Sequence, residues 1–128
     1  MTTEELKPEQ DAKLIVDLKS AFDSYANAAA EFDMTKGKPQ QLQHAITGLA
    51  AEAGEVLGKF NKILRDKNGK IEDEDRLAIT LELGDVMWFV AAVARSINVP
   101  FHVIPLANIE KLVGRRDRGT LSGSGDNR

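Results

Sequence analysis

The chain has 128 residues, 42% of them hydrophobic and 29% charged, with 17 Lys and Arg against 20 Asp and Glu for a formal charge of −3, and no cysteine. That length and mix predict one soluble domain, while the missing cysteines exclude a disulfide scaffold, thiolate zinc sites, iron–sulfur clusters and a catalytic thiol. Two histidines, His44 and His102, are too few for a three-histidine metal site within one chain, and the mild negative charge argues against a general nucleic-acid binder.

The first ten residues are polar and predicted to fray. From Asp11 to Phe32 the spacing predicts a helix, because Leu14, Ile15, Leu18, Phe22, Tyr25, Ala29 and Phe32 recur at three- and four-residue steps. Residues 33–39 (DMTKGKP) read as a loop. Pro39 suits the first turn of a second helix, expected from Pro39 to Arg65. Its apolar stripe is Leu42, Ala45, Ile46, Leu49, Ala53, Val56, Leu57, Phe60 and Leu64. Gly48, Gly54 and Gly58 interrupt it, and helical glycines admit the close approach of another helix or of a ligand.

Residues 66–70 (DKNGK) form a predicted turn. The acids from Glu72 to Asp75 suit the positive end of a third helix, expected from Asp73 to Ile97. Its stretch from Val86 to Ala94 is apolar almost all round, which predicts a central, buried helix. Asn98-Val-Pro100 ends it, and a fourth helix is expected from His102 to Arg115 with Pro105 in its first turn. The expected architecture is all-α and four-helix-bundle-like: one domain over residues 1–118, then a glycine-rich tail over 119–128. No uninterrupted apolar run reaches the ~18 residues of a membrane span. The polar N-terminus MTTEELKPEQD does not read as a leader. The expectation is a cytoplasmic protein with no membrane and no nucleic-acid partner.

The chemistry concentrates in the two middle helices. One carries Glu52-Ala-Gly-Glu55 and the other Glu82-Leu-Gly-Asp85. At i and i+3 both acids of a pair share one helix face, and both faces are otherwise apolar. A tight turn between the helices makes them antiparallel and sets the pairs opposite each other. Four carboxylates so placed repel and resist burial, and a divalent cation removes the conflict. An oxygen-only donor set favours a hard ion, Mg²⁺ or Mn²⁺, which takes phosphate oxygens as further ligands. Lys59 and Lys62 continue the face of Glu55, with Arg65 one turn on. They read either as i,i+4 support of an exposed helix or as a cationic strip for a polyphosphate. Asn108, Lys111 and Arg115 add polar and basic groups on the fourth helix. Trp88, three residues after Asp85, is a candidate for stacking on a base, and equally a core residue.

The pattern Glu52-x-x-Glu55, a 26-residue spacer, and Glu82-x-x-Asp85 resembles the signature of the all-α nucleoside triphosphate pyrophosphohydrolases, and within them the MazG-like group. The flanking residues 48–56, 59–66, 82–88 and 108–112 and the tail from Arg118 are similar too. The resemblance implies a homodimeric or homotetrameric Mg²⁺-dependent hydrolase that splits a (deoxy)nucleoside triphosphate into monophosphate and pyrophosphate, by metal-activated water attack at the α-phosphorus. It implies that Glu52, Glu55, Glu82 and Asp85 bind metal and carry catalysis. It places Lys59, Lys62, Asn108 and Lys111 at the phosphates or the metal cluster; Arg115 and Trp88 join them as candidate substrate contacts by their positions in the sequence alone. A phosphoribosyl-ATP-type pyrophosphohydrolase shares the metal and the bond cleaved, and a non-catalytic nucleotide-sensing adaptor shares the fold; both remain alternatives. A di-iron bundle is disfavoured, since neither histidine lies three residues after a Glu. The tail either closes over phosphates through its backbone amides or is a loose end.

Overall fold

A computed structural model describes residues 8–123 and 125, with side chains from residue 11 onward. Its helices are α1 (Pro8–Ala30), α2 (Gln41–Lys67), α3 (Asp73–Ser96) and α4 (Val103–Asp117), with no strand among the described residues. The all-α expectation therefore holds. α1 starts at Pro8, within the stretch expected to fray, while residues 1–7 lie outside the description. Pro39 falls in the turn before α2 rather than inside it. Contacts group the chain into two compact units, Ala26–Val99 and Met1–Tyr25 with Pro100–Arg128.

The Ala26–Val99 unit is built on α2 and α3. α2 ends where Asn68 and Gly69 both take positive φ, at 52° and 82°. The Gly69 N–H turns back to the Ile63 carbonyl at 3.1 Å and satisfies an orphaned helix end. Glu72 then donates its backbone N–H to Asp75 Oδ2 at 3.0 Å as α3 begins. Lys67 reaches over this turn to Asp75 (2.8 Å), Glu72 (3.1 Å) and Glu74 (3.2 Å). Pairings of residue 48 with 89, 59 with 82 and 67 with 75 establish that the helices run antiparallel.

The hydrogen bond from Lys67 holds the Asp75 carboxyl below the usual carboxylate range, helped by the Glu72 N–H. Asp75 in turn raises the pKa of Lys67. A carboxyl depressed on folding contributes stability that is present above its unfolded pKa and lost as pH falls through its folded one. Asp75→Asn is therefore expected to flatten the loss of thermal stability below about pH 4, as read from melting curves across that range.

Which side of α2 turns inward is set by a narrow row. Ala45, Leu49, Glu52, Val56, Lys59, Ile63 and Lys67 are buried or half-buried, at steps of three and four. Gly48 belongs to this row, and a Cβ there would overlap the Phe89 ring of α3. Phe89 is held by Trp88 at 4.9 Å edge-on and by His44 at 5.8 Å between ring centroids, so it has little room to yield. Gly48→Ala is expected to lower the melting temperature despite the ~1 kcal/mol that alanine gains as a helix former, since overpacking costs about 1–3 kcal/mol. A Cβ at Gly54 meets nothing within 4 Å, so the packing term is absent there.

The remaining apolar arc of α2, Leu42, Ile46, Leu57, Phe60 and Leu64, is exposed in the single chain. On α3, Ala91, Ala92 and Ala94 are buried, but Leu77 and Leu81 are 62% and 64% exposed and Leu83 and Met87 are also exposed. The central, buried helix expected from sequence is thus buried near its C-terminal end and open along its N-terminal half. By length and mean hydropathy α3 also meets the criterion for a helix able to cross a membrane, although Glu82 and Asp85 interrupt its apolar run.

The end of α1 and the turn after it are fixed to α3. Trp88 Nε1 donates to the Ala29 carbonyl at 3.1 Å. Arg95 Nη2 donates to Asp33 Oδ2 at 2.9 Å, while Asp33 Oδ1 accepts from the Thr35 N–H (2.9 Å) and hydroxyl (2.7 Å).

In the other unit Phe101 is buried against Phe22 at 5.1 Å, edge-on, and Tyr25 at 6.0 Å. Asp23 accepts from the His102 backbone N–H at 3.1 Å and meets its ring Nδ1 at 2.9 Å, so a carboxylate from α1 sits at the positive end of α4. α4 contains Pro105 in its first turn and extends to Asp117, two residues past its expected end. Gly119, at φ 67°, lets the Thr120 N–H return to the Arg115 carbonyl at 2.8 Å. Of the tail, residues 124 and 126–128 lie outside the described set.

Candidate metal centre

The antiparallel pairing of α2 and α3 brings the two acidic motifs together. Glu52, Glu82 and Asp85 each offer one carboxylate oxygen within 4.8 Å of the others. Glu52 lies in the inward row of α2, one turn from Leu49 and Val56, which is why an acid there faces α3 rather than water. Glu82 occupies the matching inward row of α3, between Ile79 and Val86, and its side chain is only 16% exposed. Asp85 stands one turn later on the same helix and is more open.

Burial, then the charges of Asp85, Glu82 and Glu55, push the Glu52 carboxyl above its ordinary value. This is the response of a partly covered acid with other acids beside it. Three oxygen donors, no nitrogen or sulfur donor, and a carboxyl resisting ionisation suit a hard divalent cation such as Mg²⁺ or Mn²⁺.

The fourth acid of the sequence pattern, Glu55, is exposed on α2, and its oxygens are not within the 4.8 Å group. It contributes through its field, as the shift at Glu52 records. The i and i+3 spacing puts two acids on one face, but a helix face is broad. Glu52 faces α3, and Glu55 falls at the edge.

Lys59 does not act as i,i+4 support for Glu55. Its Nζ lies 3.3 Å from Oε1 of Glu82, across the helix pair. Lys59 and Lys62 line a cavity of about 120 Å³ with Ile63, Asp66, Lys67, Asp75 and Ala78. Arg65 is turned aside and makes a two-pronged contact with exposed Asp66 at 2.7 and 2.8 Å. The parts played by Lys67 and Asp75 in this cavity were not read from sequence. The signal available was Asn68-Gly69, a turn tight enough to face residues eight apart.

Trp88 gives its only donor to the Ala29 carbonyl and its ring to Phe89, a core arrangement. Phe32, in the turn after α1, is 75% exposed. Asn108 and Lys111 are exposed on α4, and Arg115 is buried on the same helix in the other unit.

Residues 40–119 match the family described as the MazG nucleotide pyrophosphohydrolase domain. A relative, the Gene 37 protein of Mycobacterium phage L5, is 48% identical over 87 residues, covering 68% of this chain and 76% of the phage protein. No solved structure matches the chain. The matched span contains all four acids, Lys59, Lys62, Asn108, Lys111 and Arg115, and it ends at the start of the tail.

Proposed function

Because the chain belongs to the MazG nucleotide pyrophosphohydrolase family, we propose that it hydrolyses (deoxy)nucleoside triphosphates to the monophosphate and pyrophosphate, with Mg²⁺ or Mn²⁺ as cofactor. The observation that carries this reading is the convergence of Glu52, Glu82 and Asp85 within 4.8 Å on two antiparallel helices. These three would hold the cation, with Glu55 adding negative charge from one turn away. A divalent cation in such a site supplies Lewis acidity toward phosphate oxygens and makes water a better nucleophile.

In the reaction a water oxygen bonds to the α-phosphorus, the bond from that phosphorus to the bridging oxygen breaks, and pyrophosphate leaves with the electron pair. Through the cation they would hold, the carboxylates set where the triphosphate lies, and Glu52 or Glu55 would accept the proton of the attacking water. Lys59 and Lys62 are proposed to stabilise the charge that gathers on the departing pyrophosphate. Asn108, Lys111 and Arg115 are proposed as further substrate contacts on the strength of the family relationship.

The protein is proposed to work as a homodimer or homotetramer. The exposed arc of α2 and the open half of α3, with Leu57, Leu64, Leu77 and Leu81 all uncovered, form apolar surface of the kind that marks a subunit interface. The deciding experiment is a panel of nucleoside triphosphates incubated with the protein and Mg²⁺, with products separated by ion-exchange chromatography. Monophosphate and pyrophosphate in equal amounts are expected. Orthophosphate as the sole phosphate product overturns the cleavage site, and tight binding without product overturns the enzymatic reading. Light scattering is expected to give a mass of at least twice the 14.0 kDa of one chain.

A further inference from the structure

Lys59 has two acidic neighbours to choose from. Glu55 lies four residues before it on the same helix, the spacing at which Glu and Lys pair most readily. Lys59 instead crosses to α3 and places Nζ 3.3 Å from Oε1 of Glu82. The reason is electrostatic. Glu82, Glu52 and Asp85 bring three carboxylates within 4.8 Å, a concentration of negative charge that lone Glu55 does not match, and Glu82 is the better covered end of the ion pair, 16% exposed against 36% for Lys59.

A lysine suits this place for a second reason. Its ammonium is a compact charge on a flexible four-carbon stem, bound through single contacts. A guanidinium would grip the carboxylate with two. The contact is therefore strong enough to screen the acids and weak enough to give way.

We propose that Lys59 is a built-in counter-ion of the metal-free centre. An incoming divalent cation displaces it from Glu82, and it is thereby released toward the phosphates of the substrate. This rests on the metal-dependent reading given above. It assigns Lys59 a task beyond phosphate contact: it competes with the metal, so that full engagement of metal and of substrate are coupled through one side chain.

The test is a Mn²⁺ titration of the full chain without nucleotide, with free Mn²⁺ followed by electron paramagnetic resonance at fixed ionic strength. K59Q removes the competing charge and is expected to bind Mn²⁺ roughly tenfold more tightly, the order of effect of one unit charge competing for a carboxylate in a well-solvated site. K59R keeps the competition and is expected to bind no more tightly than the unsubstituted chain. K62Q, one turn further along α2, is expected to change the affinity less than about twofold, because solvent and salt screen the more distant charge. In the pyrophosphohydrolase assay K59Q is expected to turn over more slowly despite its tighter metal.

An unchanged or weaker Mn²⁺ affinity in K59Q overturns the proposal and leaves the metal centre standing. Equal tightening in K59Q and K62Q also overturns it, since the effect would then be the general field of the helix. Absence of Mn²⁺ binding by the unsubstituted chain overturns the metal centre and this proposal together. An exposed or half-exposed ion pair adds little to stability, so the variants are expected to retain the helical circular-dichroism signal.

Discussion

Glu52→Gln is expected to lower turnover by on the order of a thousandfold and, in the same protein freed of divalent cations, to raise the melting temperature. The two effects have one cause. Burial and the charges of Asp85, Glu82 and Glu55 raise the Glu52 pKa on folding, so its ionised form opposes the fold. The sign is the reverse of that at Asp75. A carboxyl raised on folding favours the native state more as pH falls through its folded value, and a glutamine imitates the protonated acid at every pH. Glu82→Gln and Asp85→Asn are expected to lose turnover to a similar degree, because each removes one of three converging negative charges. The measurement is a pair of assays on each variant: pyrophosphate release with Mg²⁺, and thermal unfolding in a chelator. Glu52→Gln with full activity defeats the metal centre; a fall in its chelated melting temperature defeats the account of charge crowding.

The largest loss of stability is expected from Arg95→Leu. The Asp33 side chain is only 2% exposed and depends on Arg95 and on the two bonds from Thr35. Burial works against its charge, but the bonds from Thr35 and Arg95 outweigh burial and hold the carboxyl below its usual range. Removing the cation leaves a buried carboxylate with only the Thr35 donors. Such a loss costs about 3 kcal/mol, at the low end for a broken buried pair because those donors remain, and lowers the melting temperature by roughly 10 °C in a chain of this size. Arg95→Leu with Asp33→Asn is expected to recover part of the loss, since the stranded charge is gone. Equal melting temperatures for single and double variants would show that the packing of the arginine stem, not the charge, fixes the turn after α1.

Much of this was legible beforehand, for reasons that are local. Recurring apolar side chains marked α1 and α2, an acidic start before an apolar run marked α3, the break at Asn98-Val-Pro100 and Pro105 marked α4, and Asn68-Gly69 marked the turn between α2 and α3. The i and i+3 acids on consecutive antiparallel helices marked the centre. What was not legible depends on rotation about a helix axis. The apolar arc of α2 is wide enough that periodicity alone does not say which edge meets α3. Ala45, Leu49, Glu52 and Val56 face inward, while Ile46 and Leu57 do not. That rotation separates Glu52 from Glu55 and sends Lys59 to Glu82. Pro39 was misplaced by two residues because a proline fits a turn before a helix as well as its first turn. Arg95 with Asp33 and Trp88 with Ala29 join residues about sixty apart, and no local pattern encodes such pairs.

The thin interior has a thermodynamic consequence. Among the described residues the buried apolar side chains are Ile63, Phe101 and five alanines, Ala29, Ala45, Ala91, Ala92 and Ala94. Alanines let helices approach closely but remove little apolar area from water apiece. Much of the larger apolar surface, from Leu57 and Leu64 to Leu77 and Leu81, stays available to a neighbour. If copies of the chain cover it for one another, folding and association obey a single mass-action law. The melting temperature then has no fixed value. It climbs with the logarithm of protein concentration, and dilution alone is enough to unfold the chain.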